Sequence, residues 1–427
     1  MRVSGGPPVS FDGRLGLAMA RSVATRTEWF TPGVRGIGAA SLLSDLGHEV
    51  PTALLPRLIT SLGGSAAVLG VIEGIADGLA GLARLGGGAL ADDPSRRRAT
   101  AVGGYTSVAV LSGLIGAATS LWQVAVLRAG AWTARGLRVP ARNALLADAT
   151  PREAYGRAYG FERMMDNLGA IGGPILALAL VAAFSVRTAI LLSIIPGLLA
   201  TVAIVYAIRR LPTLEPRERQ PIRLQVRPVI RAGLGRLMLS VSAFELGNIA
   251  ATLLILRATQ LLTPTEGPDA ATNTALLLYI AYNVAATLTS VPAGHLSDRT
   301  SPRVALAGGV LAFLLAYGIF AATGPSVPVL LLAFVLAGVG IGYVETAEHA
   351  AVAVAAPAHI RGSAFGLLAA VQSFGNLAAS GIAGLIWTFV SPEAAFIYIA
   401  AWMLLALAGL ASSRTSSNRP YQDPAIR

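Results

Sequence analysis

Long apolar segments separated by short polar loops are the feature that most limits how this chain of 427 residues can fold. Each segment is long enough to cross ~30 Å of hydrocarbon as a helix, which satisfies the backbone hydrogen bonds that lipid cannot. Only 13% of the residues are charged, against about 25% in a soluble protein. The sequence predicts an all-α integral membrane protein with twelve transmembrane helices, at residues 34–62, 65–91, 99–119, 121–148, 155–183, 187–208, 235–262, 272–297, 302–323, 326–355, 361–388 and 391–412.

One long polar stretch divides the predicted helices into two sets of six. We therefore expect an N-terminal tail (1–33), a six-helix half (34–208), a linker (209–233), a second six-helix half (234–413) and a C-terminal tail (414–427). Arginines are concentrated in the tails, the linker and alternate loops, which is typical of cytoplasmic segments. Both termini are thus predicted to be cytoplasmic. The basic N-terminal segment lacks the apolar core of a signal peptide, and Met19 is an alternative start to Met1.

The composition argues against several classes of function. A net charge of +11 would suggest a nucleic-acid partner in a soluble protein, but here the charge follows the loops, and we expect no nucleic-acid partner. The absence of cysteine excludes disulfides and thiolate metal sites. No glycine-rich phosphate-binding loop with a lysine is present, which argues against ATP-driven pumping. We expect no enzyme activity, no cofactor and no metal.

An internal repeat relates the two predicted halves at an offset of 206 residues. Gly88, Leu90, Asp92 and Arg97 match Gly294, Leu296, Asp298 and Arg303; Gly136 matches Gly342, Pro151 matches Pro357, Gly156 to Gly160 match Gly362 to Gly366, and Gly169 matches Gly375. Asp45-Leu-Gly-His48 also resembles Glu245-Leu-Gly-Asn248 at an offset of 200, and we assign the six extra residues to a longer loop between helices 7 and 8. Two repeated six-helix halves predict a substrate site between them near mid-membrane.

Two loops of this repeat carry a motif of a known family. The run Gly88-Ala-Leu-Ala-Asp92 with Arg96 and Arg97, and the run Gly294-His-Leu-Ser-Asp298 with Arg299 and Arg303, resemble the helix 2–3 loop signature of the major facilitator superfamily. The first copy departs from the signature at Asp93 and Ser95, and the second at Ser301. The resemblance implies a conformational gate in which each aspartate caps or pairs with neighbouring helix ends. The alternative is a solvated basic turn with a helix-capping aspartate.

Helix 5 carries a second resemblance. Gly160, Gly169, Gly173 and Pro174 are similar to the helix 5 pattern of proton-driven exporters of the same superfamily, although Ala177 and Leu178 replace its last two glycines. This implies export, while close helix packing is the alternative explanation of the small residues. The run from Arg135 to Asp148 looks like a branch of bacterial facilitator-type transporters, so we expect a bacterial cytoplasmic (inner) membrane. The helix 4 signature of the exporters is not met after Arg128.

Charged residues inside predicted membrane helices mark the candidate functional residues. Carboxylates recur four residues apart and so share a helix face, as a group that loads and releases a proton would require. The proton-coupling candidates are Asp45, Glu49, His48, Glu73, Asp77 and Asp166. Arg128, Arg135, Arg138 and Arg142 form a facing stripe on helix 4. The alternative is that these charges form buried ion pairs that only stabilise the bundle, since removing one partner typically costs ~3–5 kcal/mol.

The second half replaces most of these charges by neutral polar residues. Tyr279, Asn283 and Gln372 stand at the positions equivalent to Glu73, Asp77 and Asp166. Our hypothesis is that the first half handles protons while the second supplies hydrogen bonds to the substrate. The substrate-cavity candidates are Arg135, Arg138, Glu162, Glu245, Asn248, Tyr279, Asn283, Gln372 and Asn376.

Together these features predict a secondary transporter that works by alternating access and exports a small organic molecule in exchange for protons. The expected partners are the lipid bilayer, a small-molecule substrate and protons, and we expect a monomer. A mostly apolar cavity with carboxylates would suit amphipathic or cationic compounds. The helix 4 arginines would instead suit an organic anion or a carboxylate-bearing metabolite such as a metal chelate. One alternative is a proton symporter or uniporter for nutrient uptake. An alternative of another class is a non-transporting scaffold or receptor on a transporter fold.

Overall fold

A computed structural model describes residues 29–211 and 222–412 of the chain, and its regular structure within these ranges is entirely helical. The predicted C-terminal tail, most of the predicted N-terminal tail including Met19, and part of the predicted linker lie outside the described residues. The all-α prediction is confirmed.

Twelve helical segments follow one another in the described residues. They are α1 (Pro32–Ser61), α2 (Ala66–Ala91), α3 (Pro94–Ala117), α4 (Leu121–Asp148), α5 (Arg152–Ala183), α6 (Val186–Arg209), α7 (Val226–Glu266), α8 (Pro268–Arg299), α9 (Pro302–Ala322), α10 (Val327–Ala355), α11 (Ala358–Phe389) and α12 (Pro392–Ser412). Nine of these segments, all except α1, α2 and α4, are long and apolar enough to cross a membrane. The chain is a multi-pass membrane protein, and the count of twelve spans stays a prediction.

The predicted long loop between helices 7 and 8 is wrong. Helix α7 continues to Glu266 and α8 begins at Pro268, so that Gly267 alone separates them. Gly267 has a φ of +81°, a left-handed conformation that glycine adopts without steric cost. The chain therefore reverses its direction in a very short turn, and the extra residues lengthen the helices instead. Helix α7 is interrupted at residues 248–250, which are not helical.

Two groups of segments pack mainly among themselves. In the first half (α1–α6), α1 packs against α5 and α6, and α4 packs against α2 and α3. In the second half (α7–α12), α10 packs against α8 and α9, and α12 packs against α7 and α9. The halves meet where α5 packs against α8 and where α2 packs against α11. These four segments therefore form most of the junction between the halves.

Glycines bring the backbones together at one end of this junction. Gly88 of α2 lies against the backbone of Gly362 in α11, and Gly294 of α8 lies against the backbone of Gly156 in α5. The two contacts are related by the 206-residue offset of the repeat. Further along α2, Gly74 has no neighbouring group within 4 Å of the position where a side chain would begin. The junction is thus tight at one end and loose towards the other.

Candidate functional site

A cavity of about 540 Å³ lies between the two halves. Its walls come from α2, α4 and α5 on one side and from α7, α10 and α11 on the other. Six of the nine predicted cavity residues line it: Arg135, Arg138, Glu245, Asn248, Gln372 and Asn376. Four residues that were not among the predicted cavity residues also line it: Arg84, Arg163, Glu345 and His349. All four are ionisable residues inside predicted membrane helices, and this sequence feature could have identified them as cavity residues.

The structure places Tyr279 and Asn283 outside the cavity lining. The Tyr279 ring stacks on Tyr282, with ring centroids 5.6 Å apart. The Asn283 side-chain amide donates to the Tyr279 carbonyl of its own helix at 2.9 Å. Because the amide hydrogen-bonds within α8, it contributes to local helix structure rather than to the cavity wall.

Glu162 also lies outside the cavity lining, at the centre of a buried ion cluster. Its side chain is fully buried, and Arg142 Nη1 lies 2.7 Å from its Oε1 while Arg163 Nε lies 2.8 Å from its Oε2. Ser41 Oγ from α1 donates to Oε1 at 2.6 Å. Both arginines also lie 3.2 Å from Asp166. The cluster therefore joins α1, α4 and α5, and only part of it faces the cavity.

His48 lies between the two carboxylates that the sequence placed on one face of α1. Its Nδ1 is 3.5 Å from Asp45 Oδ1, and its Nε2 is 3.4 Å from Glu49 Oε1. The same Nδ1 is 2.8 Å from the Ser44 carbonyl. Asp45 Oδ1 and His48 Nε2 are buried and have no hydrogen-bond partner. The three titratable side chains therefore form a row on α1, with one carboxylate within 3.5 Å of each imidazole nitrogen.

Arg128 of α4 forms an ion pair with Glu73 of α2. Its Nη2 lies 2.9 Å from Glu73 Oε1 and 3.0 Å from Oε2, and its Nη1 donates to Thr52 Oγ1 at 3.1 Å. The guanidinium also stacks on Trp132 at 3.4 Å from the ring centroid. The Trp132 indole N–H donates to Asp77 Oδ1 at 2.8 Å. Glu73 is therefore held in a pair, whereas Asp77 orients an aromatic ring beside the cavity.

Arg135 and Arg138 have looser contacts with carboxylates. Arg138 Nη1 donates to Ser44 Oγ at 2.6 Å and its guanidinium stacks on Tyr105 at 4.0 Å, while its nearest carboxylate oxygen, on Asp45, is 3.9 Å away. Arg135 lies 4.0 Å from Asp45 and 5.6 Å from the Trp132 ring centroid. Two cations thus share one buried carboxylate at the cavity wall.

Two buried carboxylates of the second half have neutral partners. Glu245 accepts from the Asn248 amide at 3.0 Å, and Glu348 accepts from the Gln372 amide at 2.8 Å. The Asn376 amide donates to the Asn248 carbonyl at 2.7 Å, at the interruption of α7. The predicted polar residues of the second half therefore bind one another across α7, α10 and α11. Within the described residues, no cluster of histidine and carboxylate side chains is arranged to hold a metal ion.

The gate motif lies at the tight end of the junction. Asp92 accepts from the backbone N–H of Ser363 at 2.9 Å and from its hydroxyl at 2.5 Å. Asp298 accepts from the backbone N–H groups of Gly156 at 2.7 Å and Arg157 at 3.1 Å. Burial raises the pKa of the Asp92 carboxyl above its ordinary value, although the hydrogen bonds from Ser363 act in the opposite direction.

The arginines of the motif have different surroundings. Arg97 is buried, donates to the Ala91 carbonyl at 2.7 Å and pairs with Asp148, which Arg361 of the second half also contacts at 3.3 Å. Arg96 lies 3.8 Å from Asp93, and Arg299 is exposed. Two arginines from different halves therefore share a single carboxylate at this end. Arg303 is the second residue of α9.

The small residues of α5 are packing positions. Gly160 lies against the Ser290 backbone of α8, while Gly169 and Gly173 lie against α1, the latter beside Glu49. Pro174 is inside the helix. Because these glycines face two different helices, α5 contacts both halves of the molecule.

Helices that pack in two groups around a polar cavity, closed at one end, define a membrane transporter fold. The model of the Major Facilitator Superfamily matches residues 37–265 and 237–427, so the chain belongs to that superfamily. This confirms the resemblance seen in the loop motifs. The family and fold are those of transporters and not of enzymes, and they indicate a secondary transporter that lies in a lipid bilayer and carries small substrates.

Similar proteins share this architecture over most of their length. An uncharacterised MFS-type transporter of Methanocaldococcus jannaschii is 28% identical over 367 residues, which are 85% of this chain and 90% of that protein. The human organic anion transporter MFSD10 (TETRAN) superposes with a TM-score of 0.71 at 18% identity, covering 89% of this chain and 99% of that one. A bacterial homologue of the iron transporter ferroportin, in an outward-facing state, has the same TM-score and identity, covering 90% and 100%.

Proposed function

We propose that this protein exports a small organic molecule by alternating access, in exchange for protons. The observation that carries the proposal is a cavity lined by both halves and closed at one end by Asp92 and Asp298. Each carboxylate accepts a hydrogen bond from a backbone N–H near the start of a helix in the other half. Contacts that cross between the halves can break as one rigid half rocks against the other, which is the movement that alternating access requires.

We assign proton coupling to the row formed by Asp45, His48 and Glu49. His48 lies between the two carboxylates, with Nδ1 3.5 Å from Asp45 Oδ1 and Nε2 3.4 Å from Glu49 Oε1. A neutral imidazole can take a proton on one nitrogen and release one from the other. Asp45 is also within reach of Arg135 and Arg138 at the cavity wall. A change in the charge of Asp45 would therefore alter how strongly the cavity attracts a charged substrate.

The other predicted proton-coupling residues, Glu73, Asp77 and Asp166, are less suited to exchange protons because each is held by another side chain. Glu73 pairs with Arg128, Asp166 pairs with Arg142 and Arg163, and Asp77 accepts from Trp132. A carboxylate that is held by an arginine gives up its charge at a high cost. We therefore treat Glu73 and Asp166 as structural partners of the arginines.

Export is supported by the resemblance of α5 to the pattern of proton-driven exporters. The arginines of the loops support an orientation with both termini in the cytoplasm of a bacterial cell. In this orientation the closed end faces the cytoplasm and the cavity opens outwards. Uptake by symport remains the second candidate, because the same cavity and gate serve either direction.

Proton flux in proteoliposomes tests the proposal. The full-length protein is reconstituted with a pH-sensitive dye inside, and a panel of small organic compounds is added. We expect a carried compound to move protons in the opposite direction, and we expect Asp45→Asn and Glu49→Gln to abolish this movement. Glu393→Gln, at a distant pair with Arg257, is the control and should retain it.

Three other outcomes have defined meanings. Proton movement in the same direction as the compound would establish symport and refute export by antiport. Unchanged flux in both α1 variants would refute the relay. If no compound were carried and none moved protons, the scaffold or receptor alternative would replace the transport proposal.

A further inference from the structure

Five arginines line the cavity, and they differ in how their charge is compensated. Arg142 and Arg163 share two carboxylates at distances of 2.7–3.2 Å. Arg138 is fully buried and is held by a hydroxyl and an aromatic ring. Arg84 and Arg135 have no carboxylate oxygen within 3.9 Å in the described residues. These two are therefore the cations that remain available to a ligand.

The Arg84 guanidinium is bound by neutral acceptors that belong to the other half. Its Nη1 donates to the Ala369 carbonyl of α11 at 2.8 Å and to the Ser373 hydroxyl. Its Nε is buried and has no hydrogen-bond partner. Asp77 and Glu245 face the same cavity but make no ion pair with Arg84. A buried N–H of a cation without an acceptor is costly, and an anion in the cavity would supply one.

Arg135 reaches the same cavity from the neighbouring helix. Gly136 lies against the Ala80 backbone, so α2 and α4 approach closely at this level, one turn from Arg84. The Trp132 ring beside Arg135 is oriented by its hydrogen bond to Asp77. The cavity therefore combines two incompletely compensated guanidinium groups with a fixed aromatic surface.

We propose that the cavity binds a small organic acid, whose anionic group lies between Arg84 and Arg135. The planar fork of a guanidinium matches a carboxylate or phosphate and forms strong charge-assisted hydrogen bonds with it. The apolar body of the ligand would lie against Trp132, Phe374 and Leu377, which line the same cavity. The inference rests on the proposed transport function and names its substrate class.

The position of Arg84 also links binding to the junction between the halves. An anion that draws the Arg84 guanidinium towards the cavity moves its Nη1 away from Ser373 and Ala369, the acceptors in the other half. Binding therefore weakens a contact between α2 and α11, and removal of the Ser373 hydroxyl removes a competitor of the anion. The two substitutions Arg84→Gln and Ser373→Ala should thus change anion affinity in opposite directions, which a purely structural role of Arg84 does not predict.

Calorimetric titration of the full-length protein in nanodiscs tests this inference. The probes are benzoate, phenylacetate and succinate, each compared with the neutral amide and the amine of the same skeleton. We expect at least one acid to bind while its amide and amine do not. Arg84→Gln and Arg135→Gln should each weaken that acid about ten-fold or more, as expected for loss of a charge-assisted hydrogen bond. Ser373→Ala should strengthen it several-fold, and the exposed Arg57→Gln should leave it unchanged.

The design separates failure of this inference from failure of the transport proposal. If only amines bound, or if no acid bound, the anion site would be overturned. Proton-coupled transport of another compound could still be measured in proteoliposomes. If an acid bound but moved no protons in proteoliposomes, proton coupling would be refuted and the proposed anion site would still be supported. Thermal unfolding of each variant checks its fold. Should Arg84→Gln not fold, Arg84→Lys keeps the charge without the fork and is still expected to bind the acid more weakly.

Discussion

The buried charged residues of α1, α4 and α5 differ in how completely their hydrogen bonds are satisfied. Both oxygens of Glu162 are bonded to arginine or serine at 2.6–3.0 Å. Asp45 and His48, only one helix away, each have a buried atom without a hydrogen-bond partner. Buried unsatisfied groups are rare and often have a functional reason. The first arrangement therefore suits a structural role, and the second suits a group that exchanges protons.

Replacement of Glu162 by glutamine should destabilise the protein strongly. The substitution leaves Arg142 and Arg163 with a single shared carboxylate in a buried site, and loss of one partner of a buried ion pair costs ~3–5 kcal/mol. The measurement is the free energy of unfolding in detergent. Glu393→Gln is the comparison, because Glu393 is half-exposed and solvent screens its pair with Arg257, so the loss should be smaller. Equal effects of the two substitutions would contradict a structural role of the cluster.

At the scale of whole helices, two equivalent contacts join the halves, each between an aspartate of one half and backbone N–H groups of the other. The first N–H groups of a helix lack partners within that helix, and a carboxylate at the end of another helix can accept from them. The regular α-helix of α11 begins at Arg361 and that of α5 at Tyr155, each after a 3-10 turn. Asp92 at the end of α2 accepts from the first turn of this α-helix in α11, and Asp298 near the end of α8 does so in α5. Glycines beside each contact allow the backbones to approach. The repeat in the sequence is thus also a repeat in how the helices meet.

An alanine at Gly156 should weaken the closed end. Its methyl group would meet the Gly294 carbonyl and the Asp298 carboxylate, so α5 and α8 must separate, at a cost of about 1–3 kcal/mol typical of overpacking. Gly103→Ala in α3 is the control, because the space around Gly103 is open and alanine is the better helix former by roughly 1 kcal/mol. The free energy of unfolding should therefore fall for Gly156→Ala and stay equal or rise for Gly103→Ala. A fall of equal size in both would refute the contact as a site of close packing.

For the molecule as a whole, the contacts between halves are concentrated at one end, while the cavity lies towards the other. Asp92, Asp298 and Asp148 each take part in a contact that joins one half to the other. These contacts stabilise the present state relative to any state in which this end is open. A ligand shifts such an equilibrium only as far as it binds the two states differently.

Mild acid should favour the closed end through Asp92. Because burial raises the pKa of Asp92 in the closed state, this state binds a proton more tightly than a state with Asp92 exposed. Lowering the pH through the interval just above the ordinary value of about 4 should therefore shift the equilibrium towards closure. Spin labels on cysteines introduced at Ala99 and Ala358, in a chain that has no cysteine of its own, report the separation of the halves at this end.

Asp92→Asn is the control for this pH dependence. Asparagine cannot titrate, so its label separation should lose the part of the pH dependence that Asp92 causes. If the separation in the unsubstituted chain increased on acidification, or if Asp92→Asn followed the same pH profile, Asp92 would not be the group responsible.

The sequence predicted the helices and the family well, but only part of the candidate site. The 206-residue offset related Gly88 to Gly294 and Gly156 to Gly362, and the structure packs these glycines in two equivalent contacts. The same offset led to Tyr279 and Asn283 as cavity residues, and the structure places them outside its lining. The repeat shows which positions in the two halves are equivalent. It does not show which side chains contact them.

Chemical differences between the halves account for these positions. The positions in α10 that correspond to Arg128, Arg135 and Arg138 hold Phe334, Ile341 and Val344. With no arginine opposite them, the polar groups of α8 turn to their own helix instead. Equivalent positions can therefore have different surroundings.

The sequence by itself determined the membrane environment, the helical segments, the family and the small residues at which helices approach. These follow from hydropathy, helix geometry and side-chain size, which act within one segment or one motif. Only the tertiary structure decided that Glu162 is held between arginines, that His48 lies between two carboxylates, and that Arg84 and Arg135 have no carboxylate oxygen within 3.9 Å in the described residues. Electrostatic energy depends on the distance between charges and on their burial, and residues far apart in the chain come within that distance only when the helices pack.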